Sequence, residues 1–332
     1  MGASWVAVHV RALALAERRL PASEVARLAG LSRLDDALGE LKSTPYGKPV
    51  QPGMDLAAAE HGLWSTLVWH MRILAGWAPP AGAERARVLA GRFDVANVVA
   101  HLARLEGRPA QGGPMQLSIL QSGGGQPPFM LGSLGSAWPA VSAAHTPEEV
   151  RRALKSSGWG DPGVSGPGGV ALALGMTWLR RVAEAVPEAA GWATARGAMK
   201  VAAAMAAGVN MDGDSQLRRD SLALLGARSA GASSMDELRR SLRRSDAWIL
   251  EGIDSFDDLW KAELRWWARM QADAWRMLGA SRPGPGSLVG AVGALAADAW
   301  SIQAALELAA RGGGTLPGVS GAGLGMAHDA VA

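Results

Sequence analysis

The sequence predicts an all-α protein. Ala, Leu, Arg and Glu, which are strong helix formers, fill most segments of the 332-residue chain. No stretch sustains the alternation of apolar and polar residues that a half-buried strand requires. The chain has only one Tyr and three Phe, although aromatic residues are enriched in sheets. These three observations indicate helices packed on helices.

Proline, glycine and capping residues set the predicted bounds of the helices. Pro21 and Pro147 stand at or near helix starts, where the missing proline N–H costs no hydrogen bond. Thr146 is a good N-cap, and Glu148 and Glu149 suit the first turn that follows it. The predicted helices cover residues 3–19, 22–29, 32–42, 53–77, 82–106, 136–145, 147–156, 169–186, 188–208, 214–228, 235–247, 255–279 and 286–311.

Gly-rich segments lie between and after these helices. Residues 107–135 and 156–169 are rich in Gly, Pro and Ser, which favour loops. Residues 312–332 form a Gly-rich end to the sequence, for which we predict a flexible tail.

The composition excludes several classes of site. The chain has no Cys, so disulfides, thiolate nucleophiles and Cys-ligated metals are ruled out. The formal net charge is +3, from 33 basic and 30 acidic residues. No part of the chain carries the one-sided basic excess that is typical of duplex-binding proteins. We therefore expect no nucleic-acid partner.

The hydropathy pattern predicts neither a membrane span nor a signal peptide. The best uncharged windows, residues 162–179 and 283–297, open with Gly and Pro. Their apolar parts are shorter than the roughly 20 residues that a spanning helix needs. The N-terminus lacks a basic stretch followed by an apolar run and a small-residue cleavage site. We therefore expect no direct insertion into a bilayer.

Motifs for catalysis and cofactor binding are missing, so we predict no catalytic residue, cofactor or metal. The six His show no pair at the i, i+3 or i, i+4 spacing of a helical metal site. The sequence has neither a phosphate-binding G-x-x-x-x-G-K-(S/T) loop nor a G-x-S-x-G turn. The glycines of residues 284–290 follow no predicted strand, which favours a helix-entry loop there over a dinucleotide site.

Two clusters of charge leave alternatives open. The acidic one could hold Mg²⁺ and a diphosphate, with Asp212 and Asp214 as a partial second motif, or its acids could complement a helix dipole behind the Ser255 cap. The basic one could meet acidic lipid or an acidic partner, or it could be a solvated face paired with nearby acids. The acidic cluster comprises Asp254, Asp257 and Asp258, and the basic cluster comprises Arg239, Arg240, Arg243 and Arg244.

A helical pattern recurs at intervals of about a third of the chain. One copy has Asp94 and Asn97 on a helix that closes at Gly107, and another has Asp298 and Ser301 on the last helix. A weaker copy surrounds Gln216, where Asp212 falls one position early and Gly213 occupies the aligned place. The pattern predicts three related helical units.

Short motifs in a fixed order accompany this repeat. They are Leu41-Lys-Ser-Thr-Pro-Tyr-Gly47, Arg92-Phe-Asp-Val-Ala-Asn-Val-Val99, Gly107-Arg-Pro109 and Met130-Leu-Gly-Ser-Leu134. In this order, the chain resembles the C/d-type family of V-type and A-type rotary ATPases, the central-stalk rotor caps, over nearly its whole length. The resemblance implies a single domain over 1–332, an all-helical funnel of three pseudo-threefold-related bundles. Its units would be 20–135, 136–255, and 1–19 plus 256–311.

The resemblance also implies a function without an active site. Members of this family couple the central shaft of the ATPase head to the membrane proteolipid ring, for transport of protons or sodium ions. The implied partners are the D- and F-type shaft subunits and the ring, with the membrane stator as a further candidate. The implied location is peripheral, on the cytoplasmic side of the membrane. The alternatives are a free-standing helical scaffold and a helical Mg²⁺-dependent diphosphate enzyme.

The positions that match the family pattern are expected to be structural. Asp94 could cap a chain segment or pair with Arg92 or Arg104, and Asn97 could hydrogen-bond helix ends in the adjoining unit. The matching positions are Tyr46, Gly47, Asp94, Asn97, Gly107, Gly132, Gln216, Asp298 and Ser301.

Overall fold

The computed structural model describes residues 2–107, 125–209, 215–280 and 282–316. Within these ranges the protein is helical and contains no strand, so the all-α prediction is confirmed. The α-helices are α1 (Gly2–Ala16), α2 (Ala22–Ala29), α3 (Leu34–Leu41), α4 (Leu56–Trp77), α5 (Pro80–Leu105), α6 (Trp138–Val141), α7 (Pro147–Ser156), α8 (Pro167–Ala185), α9 (Ala190–Ala206), α10 (Gln216–Leu225), α11 (Ala227–Ala230), α12 (Met235–Ser241), α13 (Leu259–Leu278) and α14 (Pro285–Ala310).

Local capping explains where several helices begin. Thr146 Oγ1 accepts a hydrogen bond from the Glu149 N–H (3.2 Å), so the predicted cap of α7 is confirmed. Asp55 Oδ1 accepts from the Ala58 N–H (2.7 Å), which sets the start of α4 three residues later than the sequence predicted. In each case the side chain satisfies an N–H that has no partner within the helix.

Two predicted helices are wrong in their extent. The helix expected over 136–145 is reduced to α6. The N–H groups of residues 136–138 donate to a distant carboxylate, described below, at the point where that helix was to begin. The helix expected over 214–228 is divided at Gly226, whose φ of +87° is strained for residues with a side chain.

Two further predicted helices are interrupted by 3₁₀ turns. The helix expected over 235–247 ends with α12, and a 3₁₀ turn follows at Ala247–Ile249. The helix expected over 255–279 opens as a 3₁₀ turn at Phe256–Asp258, and α13 follows directly. Ser255 Oγ accepts from the Asp257 N–H (3.2 Å), so Ser255 does cap this element.

Among the described residues, one order of elements occurs three times. Two short helices are followed by a turn with an aromatic residue and then by long helices. The short pairs are α2–α3, α6–α7 and α11–α12, and the aromatic residues after them are Tyr46, Trp159 and Trp248. The division of the chain at 135/136 and 255/256 stays a prediction.

The described residues group into two compact units, and helices α5 and α13 contribute to both. Of the described residues, unit 1 contains 2–86, 125–130, 267–280 and 282–316, and unit 2 contains 87–107, 131–209 and 215–266. In unit 1, α14 packs against α1, α2, α3 and α4. In unit 2, α8 packs against α9 and α10. Each unit therefore has its own buried core.

Helix α14 corrects the prediction of short apolar windows. It runs for 26 residues and, by length and composition, is the one helix in the described ranges that could cross a membrane. The apolar window ends at Ala297 in the sequence because Asp298 follows, but the helix continues through this carboxylate. Within the protein, 83% of its most apolar stretch is buried. Its apolar character is therefore used in packing the core of unit 1.

Several sequence predictions fall outside the described residues. They are the tail beyond residue 316, residues 108–124 of the predicted loop over 107–135, and the positions of Asp212, Gly213 and Asp214.

Candidate functional site

A buried carboxylate in unit 1 joins three distant parts of the chain. Asp298, on α14, is 4% exposed. Its Oδ2 accepts from the Tyr46 hydroxyl (2.7 Å), and its Oδ1 accepts from the Leu20 N–H (3.2 Å). The structure thus brings together two predicted positions that lie 252 residues apart. Asp298 fixes both the entry to the first short-helix pair and the turn after it.

We call Asp298, with its hydrogen bonds to Tyr46 and Leu20, the first carboxylate anchor. Burial controls its ionisation. Desolvation raises the pKa of Asp298 to about 7, against the lowering effects of the Tyr46 hydrogen bond and the Arg19 charge. Desolvation is also the first cause that raises the pKa of Tyr46 well above its usual value, followed by the negative charge of Asp298. Tyr46 therefore stays a hydrogen-bond donor wherever Asp298 is ionised.

Unit 2 contains a second carboxylate anchor of the same kind. Asp94 on α5 is fully buried and accepts four hydrogen bonds. They come from the Ser136 hydroxyl (2.8 Å) and from the N–H groups of Ser136 (2.6 Å), Ala137 (2.9 Å) and Trp138 (2.9 Å). The indole N–H of Trp159 donates to the same Ser136 hydroxyl (2.9 Å). Asp94 is therefore linked to Trp159 through Ser136.

The two anchors share one plan. In each, a carboxylate on a 26-residue helix holds the N–H groups before a short-helix pair and reaches the aromatic residue after that pair. Tyr46 meets Asp298 directly, whereas Trp159 meets Asp94 through a serine. Sequence reasoning missed Trp159, although Trp159-Gly160 follows its short helices as Tyr46-Gly47 does.

The region around Gln216 is arranged differently. Gln216 Nε2 donates to the Trp159 carbonyl (2.5 Å) and to Thr177 Oγ1 (2.6 Å). Asp220, one turn later on α10, accepts from Thr177 Oγ1 (2.5 Å) and from Arg180 Nε (2.7 Å). These residues tie α10 to α8, so this position joins two neighbouring helices.

The remaining predicted positions have local roles. A Cβ on Gly47 would overlap the backbone of Lys42, so only glycine fits that turn. Gly107 and Gly132 have positive φ angles of +64° and +55°. Ser301 Oγ donates to the Ala297 carbonyl of its own helix (2.9 Å).

Asn97 completes the set of predicted positions. It lies on α5, three residues after Asp94, and is 2% exposed. The structure therefore places it inside the core of unit 2, on the helix that carries the second anchor.

Ion pairs involve one residue of the basic cluster and two of the acidic cluster. Arg239 pairs with Asp236 (2.6 Å) and Asp254 (2.8 Å), and Asp258 pairs with Lys261 (2.6 Å). Within the described residues, no group of three or more His, Asp or Glu side chains is arranged to hold a metal ion. These contacts favour the solvated-face interpretation of the basic cluster.

Sequence reasoning missed a group of cations in unit 2. This cationic cluster comprises Arg92 on α5 and Arg196 and Lys200 on α9. The negative charge of Glu263 on α13 partly offsets these three positive charges. Arg196 Nη2 donates to Glu263 Oε1 (3.0 Å), and the guanidinium lies over the Trp266 ring at 5.2 Å. A signal was present, because Arg196 and Lys200 are the only charges on the otherwise apolar and small-residue helix α9.

Unit 1 carries an apolar pocket of about 360 Å³ at its surface. Trp69 and Met130 in its lining are 54% and 74% exposed. His61, another lining residue, stacks on Phe129 with ring centroids 4.4 Å apart. The remaining lining residues are Ser65, Val68, Arg72, Pro127 and Pro128.

Neither a family model nor a curated protein sequence matches this chain.

Proposed function

We propose that the protein is a non-catalytic rotor subunit of a V/A-type ATPase. In this role it couples the central shaft of the soluble head to the membrane proteolipid ring. The observation that carries the proposal is the threefold order of short-helix pair, aromatic turn and long helices, which accords with the three units implied by the sequence resemblance. Transmission of torque requires stiffness, and close-packed helices provide it.

The carboxylate anchors support the same proposal. Asp298 and Asp94 each tie a long helix to a short-helix pair distant in sequence, through buried hydrogen bonds to the carboxyl group. Hydrogen bonds to an ionised carboxylate are among the stronger ones in proteins. They resist bending where a long helix meets a loop, which is where a body under torque would otherwise yield.

The apolar pocket of unit 1 supports a function in protein binding. Trp, Met and Arg are enriched in the centres of protein interfaces, and Trp69, Met130 and Arg72 all line this pocket. A shaft or ring partner would cover such side chains on assembly. The pocket therefore accords with a protein that works by contact with other proteins.

Extraction from native membranes tests the proposal. Contacts with polar ring loops should be partly electrostatic, and the screening length falls from about 8 Å at physiological ionic strength to about 3 Å at 1 M salt. High salt or chaotrope without detergent should release the chain together with shaft subunits and leave the ring behind. Expressed alone, the chain should not bind protein-free liposomes.

The opposite results would replace the proposal. If extraction needs detergent, or if bare liposomes bind the chain as tightly as native membranes do, the protein attaches to lipid directly. If no rotary ATPase subunits accompany it in mild-detergent extracts, it is a free-standing helical scaffold.

A further inference from the structure

Helix α4 exposes two large aromatic side chains of unit 1. Trp69 is 54% exposed and Trp77 is 52% exposed. Arg72 and Gly76 are exposed between them, and residues at these spacings lie on one side of an α-helix. We call these four residues the tryptophan face. Apolar side chains that are exposed together indicate a site of interaction, whereas singly scattered ones are normal.

The tryptophan face continues onto neighbouring elements of unit 1. Arg72 Nη1 donates to the Met130 carbonyl (3.3 Å), and the apolar pocket lies between α4 and residues 127–130. Further along α4, the Arg11 guanidinium of α1 lies 3.4 Å from the centre of the Trp77 ring. The surface therefore combines exposed aromatic rings with a pocket that an apolar side chain can enter from outside.

The charge of this surface is positive. Helix α1 contains no Asp or Glu, and Glu60, the one acidic residue of α4, is 5% exposed. Residues 125–130 contain no acidic side chain. In the described part of the chain, neither Arg11 nor Arg72 forms an ion pair with a carboxylate. A partner that brings carboxylates to these arginines would therefore gain charge-assisted hydrogen bonds.

The length of the tryptophan face matches a helix laid along it. Trp69 and Trp77 are eight residues apart, which is about 12 Å or two turns of α4. An added Cβ on Gly76 would meet nothing within 4 Å, so the backbone of α4 is open to close approach there. An amphipathic helix places apolar residues three, four and seven positions apart on one side, which covers two turns of its partner.

We propose that the tryptophan face and the apolar pocket beside it bind an amphipathic helix of a partner protein, in which carboxylates flank the apolar residues. An apolar side chain of that helix enters the pocket, and its carboxylates pair with Arg72 and Arg11. Trp and Arg often dominate the binding energy of protein interfaces. Lipid-binding faces are rich in Lys and Arg, so a surface with two arginines fits a protein better. The proposal rests on the proposed function in taking the occupant to be a protein.

Fluorine NMR of the whole protein tests this interface. The chain has 14 Trp, so labelling with 5-fluorotryptophan gives 14 signals, and Trp69→Phe and Trp77→Phe identify two of them. The probe is a capped three-heptad peptide with Leu at positions a and d and Glu at positions e and g. It should move both signals and reduce their shift difference between H₂O and D₂O, because the rings become covered. The same peptide with Lys in place of each Glu should bind at least about tenfold more weakly.

Three variants separate the interface from the fold. Gly76→Glu adds a carboxylate that contacts no other element and can pair with Arg72 one turn earlier, so it should weaken binding of the acidic peptide at least about tenfold. Gly39→Glu makes the same change at an open position of α3 and should leave binding intact. Arg72→Glu should weaken binding of the acidic peptide and strengthen binding of the Lys peptide. Circular dichroism checks the fold, and Gly76→Glu remains decisive if Arg72→Glu disturbs the pocket.

Four results would overturn the proposal. The Trp69 and Trp77 signals do not respond to the acidic peptide, or the Lys peptide binds as tightly, which would indicate apolar adhesion alone. If phosphatidylglycerol vesicles cover these rings and the peptide does not, the face binds lipid. If concentrating the protein alone moves both signals, the face pairs with a second copy of the chain. A missing peptide response would leave the rotor proposal intact, because membrane extraction tests that proposal separately.

Discussion

The Tyr46–Asp298 hydrogen bond should make the stability of the protein depend on pH in a way that Tyr46→Phe reveals. Asp298 has a folded-state pKa of about 7, above its ordinary value of 3.8. Its raised pKa means that ionisation is disfavoured in the folded state. The contribution of Asp298 to the free energy of unfolding therefore falls as the pH rises from about 4 to about 7. Above pH 7 the whole of this contribution is lost. The shift of about three units sets an upper bound of about 4 kcal/mol on this loss.

Tyr46→Phe removes the donor at 2.7 Å from Asp298 without changing the ring. A hydrogen bond to a charged group contributes about 1.5–3 kcal/mol, and one between neutral groups about 0.5–1.5 kcal/mol. The free energy of unfolding should therefore fall by about 2 kcal/mol at pH 8.5, where Asp298 is ionised, and by about 1 kcal/mol at pH 5.5, where it is protonated. The difference of about 1 kcal/mol corresponds to a rise of about 0.7 unit in the pKa of Asp298.

Urea unfolding followed by far-UV circular dichroism at the two pH values measures both effects. In an Asp298→Asn background, Tyr46→Phe should cost the same at pH 5.5 and pH 8.5, because the group that titrates is gone. An equal loss at both pH values in the wild-type background, or no loss at pH 8.5, would refute the assignment of Asp298 as a titrating anchor.

The anchors and their turns lead to three further predictions. Tyr46 is the only Tyr in the chain, so tyrosinate absorbance should appear well above pH 10 in the folded protein and near pH 10 in urea; equal midpoints would contradict its buried bond to Asp298. Asp94→Asn leaves one carbonyl oxygen for four donors and should lower the urea-unfolding free energy by about 2–4 kcal/mol, whereas a loss below about 0.5 kcal/mol would mean that the anchor adds little to stability. Gly160→Ala should lower the thermal midpoint, because Gly160 has a φ of +79° and an added Cβ would lie 2.7 Å from Gln216 Oε1. The matched Gly39→Ala, at an open position within a helix, should raise the midpoint by adding up to about 1 kcal/mol to the free energy of unfolding. Shifts of the same sign in the two variants would contradict this geometry.

The sequence by itself was sufficient for most of the helices. The bounds of α2 and α7 were predicted to the residue, because a proline or capping residue stands where each begins. Helix formation depends on hydrogen bonds between residues four apart and on local caps, so its signals lie within the segment itself. The sequence also ruled out all cysteine chemistry, which depends on composition alone.

Tertiary structure decided which distant groups satisfy the N–H groups at some helix starts. The first N–H groups after residue 135 donate to Asp94, more than 40 positions earlier. The helix over 286–311 was predicted from its sequence, but its uncharged window ends at Ala297 because Asp298 follows. In the folded protein Tyr46 and Leu20 supply the hydrogen bonds that let this carboxylate be buried.

The candidate sites show the same division between local and distant causes. The repeat around Asp94 and Asp298 could be recognised from sequence, because each Asp is followed three residues later on its own helix by a polar residue, Asn97 or Ser301. The donors to these carboxylates could not, because they come from other parts of the chain. The cationic cluster was harder still to predict from sequence, since Arg92, Lys200 and Glu263 lie on three different helices. A spacing reports which residues share a helix face, but only the packing of helices decides which charges meet in the core.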